Sequence, residues 1–156
     1  MEEDFGLAVG VVFRAYAKAV EAAAAEVPGG SRGYLVLMAA VRGEANGQRL
    51  LAERLGVDRT VMTYLLDDME RADLVERRPD PADRRSRRIV ATEHGARRWE
   101  ELRGRVRGVE DQLLGVLPEG VRDQFRAMLC AVASHVNAED PVAHACQVAA
   151  ELNISQ

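Results

Sequence analysis

Between Gln48 and Ala91 the hydrophobic repeat of the chain switches from helical to alternating, and few folds accommodate that order of elements over so short a span. Leu51, Ala52 and Leu55 give one apolar face to a short helix over 48–55, Gly56-Val57 breaks it, and Asp58 is placed to cap a second helix running to about Ala72. On the second helix Val61, Leu65, Met69 and Ala72 recur at spacings of 4, 4 and 3, a stripe expected to pack inward. The opposite face then presents Arg59, Thr60, Thr63, Tyr64 and Asp67. Two short helices joined by a glycine turn predict a helix-turn-helix. Leu74–Arg78 and Arg87–Ala91 follow as short strands, joined by Pro79-Asp80-Pro81-Ala82-Asp83-Arg84-Arg85-Ser86, whose prolines and aspartates suit a turn. A hairpin directly after a helix-turn-helix is a wing, and its tip carries an arginine cluster.

Charge distribution sharpens this expectation. The net charge is −4, which alone argues against a polyanionic partner. Residues 47–98, however, carry 12 arginines against 10 acidic residues, leaving 9 basic against 15 acidic elsewhere. Six of these arginines, Arg77, Arg78, Arg84, Arg85, Arg87 and Arg88, fall within twelve residues. Positive charge is therefore concentrated where the hairpin is expected.

The flanks read as helices. Phe5, Val9, Val12, Phe13, Tyr16, Val20 and Ala24 recur at helical spacing until Val27-Pro28-Gly29-Gly30 stops them. Ser31 is placed to cap a second helix carrying Tyr34, Leu35, Leu37, Met38 and Val41, which ends in the turn 42–47. After the hairpin, Trp99, Leu102, Val106, Val109, Leu113 and Val116 step by 3, 4, 3, 4 and 3 along a helix expected over 93–117, a seam suited to helix-on-helix packing. Gly104 and Gly108, one turn apart, suggest the close approach of another helix there. Pro118-Glu119-Gly120 breaks the chain, and Val121, Phe125, Met128, Val132 and Val136 mark a further amphipathic helix. A last short helix is expected after Asp140.

With these elements in place, Leu50 to Gly95, LLAERLGVDRTVMTYLLDDMERADLVERRPDPADRRSRRIVATEHG, resembles the MarR family of bacterial regulators, and the resemblance extends over roughly residues 5–137. The specific part is the D-x-R wing signature, Asp83 and Arg85, with Thr92 and Gly95 at the family spacing. The resemblance implies a mainly α fold with a small β-hairpin wing: a winged helix-turn-helix with flanking dimerisation helices. It implies one domain over 1–156, with dimerisation helices at 5–30 and 93–137, a DNA-binding lobe at 31–92 and a C-terminal extension at 138–156. It further implies a homodimeric transcription regulator, a ligand-responsive repressor on a near-palindromic operator, with double-stranded DNA and a small-molecule effector as partners. The candidate DNA contacts are Arg59, Thr60, Thr63 and Tyr64 on the helix and Asp83, Arg84, Arg85 and Arg87 on the wing. Arg85 would enter the minor groove with Asp83 orienting it, and Arg84 would meet phosphate. Tyr34, Met38 and Arg42 are the candidates for lining an effector crevice. The chain departs from the family pattern at Tyr64, where arginine is common, at the acidic pair Asp67-Asp68, and at Ala91 in place of leucine.

Other chemistry finds little purchase. His94, His135, His144, Cys130 and Cys146 lack zinc-ligand spacing, and Cys130, between Leu129 and Ala131, is expected to be a buried small hydrophobe. No glycine-rich phosphate loop, G-x-S-x-G elbow or H-E-x-x-H motif is present, so neither catalysis nor a cofactor is expected. The acidic start Met1-Glu2-Glu3-Asp4 and the absence of a long apolar run suggest a cytoplasmic protein without a membrane partner. A second reading, from another class, is a small-molecule carrier or interaction module that keeps the fold with weak DNA affinity, which the −4 charge and Asp67-Asp68 would suit.

Overall fold

A computed structural model describes residues 4–80 and 87–139 of the chain. Helices Phe5–Ala23 (α1), Ser31–Val41 (α2), Gln48–Arg54 (α3) and Arg59–Arg71 (α4) lead into an antiparallel hairpin of Val75–Pro79 (β1) and Arg87–Ala91 (β2). Glu93–Leu113 (α5), a 3-10 turn Leu114–Val116 and Glu119–Glu139 (α6) complete the order. The architecture is the mainly helical winged helix-turn-helix that the sequence predicts.

Local chemistry sets most boundaries. The Asp58 carboxylate accepts from the main-chain N–H groups of Thr60 and Val61, at 2.7 and 3.3 Å, and these bonds hold its pKa below the usual carboxylate value. The cap is therefore ionised at neutral pH and weakens only as pH falls through that lowered value. At the other end of α4, Asp73 adopts φ +55, Asp73 N–H donates to Glu70 O, and Leu74 N–H donates to Met69 O. That is a left-handed helix stop, with Met69 and Leu74 on either side of it both buried in the core. The start of α2 differs from expectation. Gly30, at φ +57, occupies the cap position, and Glu21 of α1 accepts the Ser31 N–H at 3.0 Å. A charged carboxylate at a helix N-terminus is a stronger acceptor than the serine's own hydroxyl.

One core unites the C-terminal end of α1 with α2 to α5. Val20, Ala24, Val36, Leu37, Leu51, Met62, Leu66, Met69, Val75, Ile89, Trp99, Leu102 and Val106 are all buried in it. The buried arc of α4 is Met62, Leu65, Leu66 and Met69, while Val61 and Ala72 are exposed, so the expected stripe is rotated. Both arcs share Leu65 and Met69. The observed one buries Met62 and Leu66 in place of the smaller Val61 and Ala72, removing more apolar surface from water.

The α5 seam is buried only in its first half. Trp99, Leu102 and Val106 are core, Val109 and Leu113 are half-buried, and Val116 is 89% exposed in the 3-10 turn. A Cβ added at Gly104 or Gly108 would meet nothing within 4 Å, so no helix among the described residues approaches them. Along α6 every described side chain is exposed except Arg122 and Arg126, which are half-buried. Cys130 is exposed as well, against expectation, because α6 has no apolar partner among the described residues. Cys146, His144 and the expected last helix lie outside the described residues, and no helix among the described residues is long and apolar enough to cross a membrane.

Thr92 and Gly95 have a structural reason. Thr92 Oγ1 accepts the Gly95 N–H at 2.9 Å and donates to Asp73 O, tying the start of α5 to the end of α4. A Cβ on Gly95 would sit 1.9 Å from Leu74 O, a main-chain atom that cannot swing aside. Gly95→Ala should therefore lower stability by about 3 kcal/mol, roughly 6–12 °C in Tm. A thermal melt unchanged from the parent would refute this close approach.

Candidate nucleic-acid interface

With its core arc turned inward, α4 presents Thr60, Val61 and Tyr64 to solvent, flanked by Arg59 and Arg71. Tyr64 is 66% exposed and Val61 45%. Arg59 is held only loosely, 3.7 Å from Glu53. Thr63 is different. It is half-buried, its hydroxyl donates to Arg59 O at 2.9 Å, and it accepts from Gln48 Nε2 of α3 at 2.6 Å. Asp67 is also half-buried rather than free, 2.7 Å from an Arg77 Nη. The outward face is thus narrower than expected: Thr63 and Asp67 face neighbouring elements of the lobe, and Val61 takes a place on the surface.

The arginine cluster divides in the same way. Arg77 faces α4, where it bonds Asp67 and Glu70 with its side chain and Glu70 Oε1 with its main-chain N–H at 2.9 Å. Arg78 pairs with Glu76. Arg88 is half-buried, with an Nε that has no hydrogen-bond partner among the described residues, and Arg87 is exposed at the start of β2. Asp83, Arg84 and Arg85 lie outside the described residues. The hairpin is anchored at its base. Its register pairs Val75 with Ala91 and Arg77 with Ile89, and Ile89 N–H donates to Ala45 O at 3.0 Å, fixing β2 to the loop before α3.

Away from this face, Tyr34 and Met38 of α2, with Arg42 at its C-cap, oppose Trp99, Arg103, Val106, Arg107 and Glu110 of α5 across a cleft of about 320 Å³. The Tyr34 and Trp99 rings lie 5.1 Å apart at 34°. Burial, with Glu110 nearby, pushes the Tyr34 phenol above its ordinary pKa, and the same two causes push Tyr16 up to about 12. Both hydroxyls stay protonated at neutral pH. A second hollow, of about 410 Å³, is lined by His94, Arg97, Arg98 and Glu101 and offers no apolar side chain. Among the described residues no group of three His, Cys, Asp or Glu is arranged to hold a metal.

The MarR family model matches residues 34–86. The crystal structure of CouR from Rhodococcus jostii RHA1 bound to p-coumaroyl-CoA is similar at 32% identity, with a TM-score of 0.66 over 85% of this chain and 93% of that one. The chain belongs to the MarR family. A MarR-family transcriptional regulator from Rhodococcus sp. RHA1 is similar at 30% identity and TM-score 0.67, over 85% of this chain and 96% of that one. CouR, as a transcriptional repressor bound to a 23-mer DNA duplex, is similar at 25% identity and TM-score 0.66, over 85% and 94% of the two chains. No curated protein matches the sequence. As a MarR-family member the chain is a transcription regulator built on a DNA-binding winged helix.

Proposed function

We propose that the protein is a homodimeric, ligand-responsive repressor that binds a near-palindromic operator through α4 and the wing of each subunit. The observation that carries this reading is the exposed arc Thr60, Val61 and Tyr64, standing beside a hairpin rooted on the same lobe. Such an arc suits the major groove, where Thr and Val methyls meet thymine and hydroxyls meet base edges. Arg59 serves phosphate or guanine, Thr63 supports the helix from behind, and Arg87 serves the backbone beside the wing. Asp83, Arg84 and Arg85 keep the roles that the family resemblance gives them. The carrier alternative loses its main support here, because Asp67 and Glu70 pair with Arg77 and Asp68 pairs with Arg71. The acidic residues of α4 are already neutralised.

The cleft supports the ligand half of the reading. Arg42, Arg103 and Arg107 line the cleft with Glu110, Arg103 also pairing with Glu100 and Arg107 with Asp123, and the Tyr34–Trp99 pair forms an aromatic wall. That combination suits a planar apolar group carrying negative charge. At about 320 Å³ the cleft would enclose the acyl part of a ligand such as CouR's p-coumaroyl-CoA and leave a bulky head outside. A ligand wedged between α2 and α5 changes the spacing of the two lobes and releases the operator.

Selection of bound sequences from a random duplex pool tests both halves. The expected product is an inverted repeat with half-site centres about 10 bp apart, and inserting about 5 bp between them should abolish tight binding. Adding p-coumaroyl-CoA as a probe should then displace the selected duplex. A pool that yields no enriched motif would overturn the reading.

A further inference from the structure

We propose that Arg77 is a positioning residue for DNA binding, clamping wing strand β1 to helix α4 through Asp67 and Glu70, so that these two carboxylates support the interface instead of repelling DNA. The inference rests on the DNA reading of α4 and the hairpin given above. It begins with strand parity. Val75 and Arg77 lie on one face of β1, and the residues paired with them are Ala91 and the buried Ile89. A position facing that way calls for an apolar side chain, and an arginine there is costly unless its donors are met. They are met. One Nη bonds Glu70, the other reaches Asp67 Oδ1 at 2.7 Å and Thr63 O at 3.5 Å, and the side chain is only 19% exposed against 55% for Arg78.

The partners lie at 63, 67 and 70, one arc along two turns of α4, so the guanidinium fork holds the strand at more than one point. With the main-chain bond to Glu70, β1 can neither slide along the helix nor rotate away from it without breaking a charged pair. Gln48 joins α3 to the same chain of bonds through Thr63. The orientation of the wing relative to the reading helix is therefore held by an inward-facing arginine beside the Ile89–Ala45 bond, whereas the cluster as a whole looks like a phosphate-binding patch. Lysine, without a planar fork, would not replace it.

Binding of the full-length protein to its selected duplex, measured by fluorescence anisotropy across a range of salt, separates the two roles. Asp67→Asn removes a negative charge from the helix proposed to read DNA. Simple electrostatics then expects tighter binding, whereas the clamp expects binding about fivefold weaker. Arg77→Gln should weaken binding about tenfold, as should Arg77→Lys, and leave the salt slope of the affinity unchanged; a phosphate contact would lower that slope by about one. The double variant should bind no more weakly than Arg77→Gln alone, since both break one unit. Circular dichroism sets the folded fraction for each, and should Arg77→Gln fail to fold, Asp67→Asn decides by the sign of its effect. Tighter binding by Asp67→Asn, a slope lowered by one in Arg77→Gln, or additive losses would overturn the clamp. A parent chain that binds no duplex would remove the DNA reading and the clamp together.

Discussion

A chain carrying Val132→Asp should sediment as a monomer at micromolar concentration and bind its operator about 100-fold or more weakly than the parent. The reason lies in how α6 is attached. Val121, Phe125, Met128, Val132 and Val136 repeat at helical spacing, yet they are 40–60% exposed and contribute nothing to the core. Among the described residues the helix is held chiefly by polar contacts. Arg126 reaches Asp111 at 2.5 Å and Asp123 at 2.8 Å, Arg107 reaches Asp123 at 3.3 Å, and Arg122 donates to Leu117 O at 3.0 Å. Ion pairs near the surface add little to stability. A 21-residue helix needs an apolar partner as well, and on the proposed homodimer that partner is the second subunit. The exposed Phe5, Leu7, Val9 and Val12 of α1 call for the same cover. A carboxylate in the middle of that contact would cost several kcal/mol, more than one side chain's burial returns. Each subunit would then bind its half-site alone, losing the linkage that makes the second contact nearly intramolecular. A variant that stays dimeric and binds normally would show that α6 packs elsewhere.

What the sequence discloses here is what local spacing and capping can encode. Asp58 and Gly56 set the turn between α3 and α4, and Thr92 begins α5, each through bonds spanning three residues or fewer. Tyr34, Met38 and Arg42 are four apart, so one face of α2 must carry all three; only the fold brings α5 opposite them. The misread features all depend on distant partners. The cap of α2 comes from Glu21, ten residues away, which no serine-first rule anticipates. The rotation of α4 is decided by what α3 and the hairpin present to it, because both arcs have helical spacing. Arg77 belongs by composition to the arginine cluster, and only its parity with Val75 signals that it faces inward. Cys130 sits on an apolar helix, and the described residues give that helix nothing apolar to cover it.

Tyr64→Arg and Tyr64→Ala should move the selected DNA motif in opposite senses at one and the same position of each half-site. Tyr64 is the most exposed large apolar side chain of α4, one turn beyond Thr60, where a groove-lying helix meets base edges. Arginine there could bond bidentately to guanine O6 and N7, a contact worth about 1–3 kcal/mol, or roughly 5- to 150-fold in preference. The Tyr64→Arg chain should accordingly acquire a guanine in both half-sites, bind every duplex more tightly and show a salt slope steeper by about one. Alanine should flatten the preference at that position and leave the slope alone, because tyrosine carries no charge to release counterions. Thr63→Ala provides the contrast. Thr63 faces Gln48, so its loss should weaken binding through the position of the helix and leave the motif intact. Identical motifs from the parent and both Tyr64 variants would mean that α4 does not read the bases.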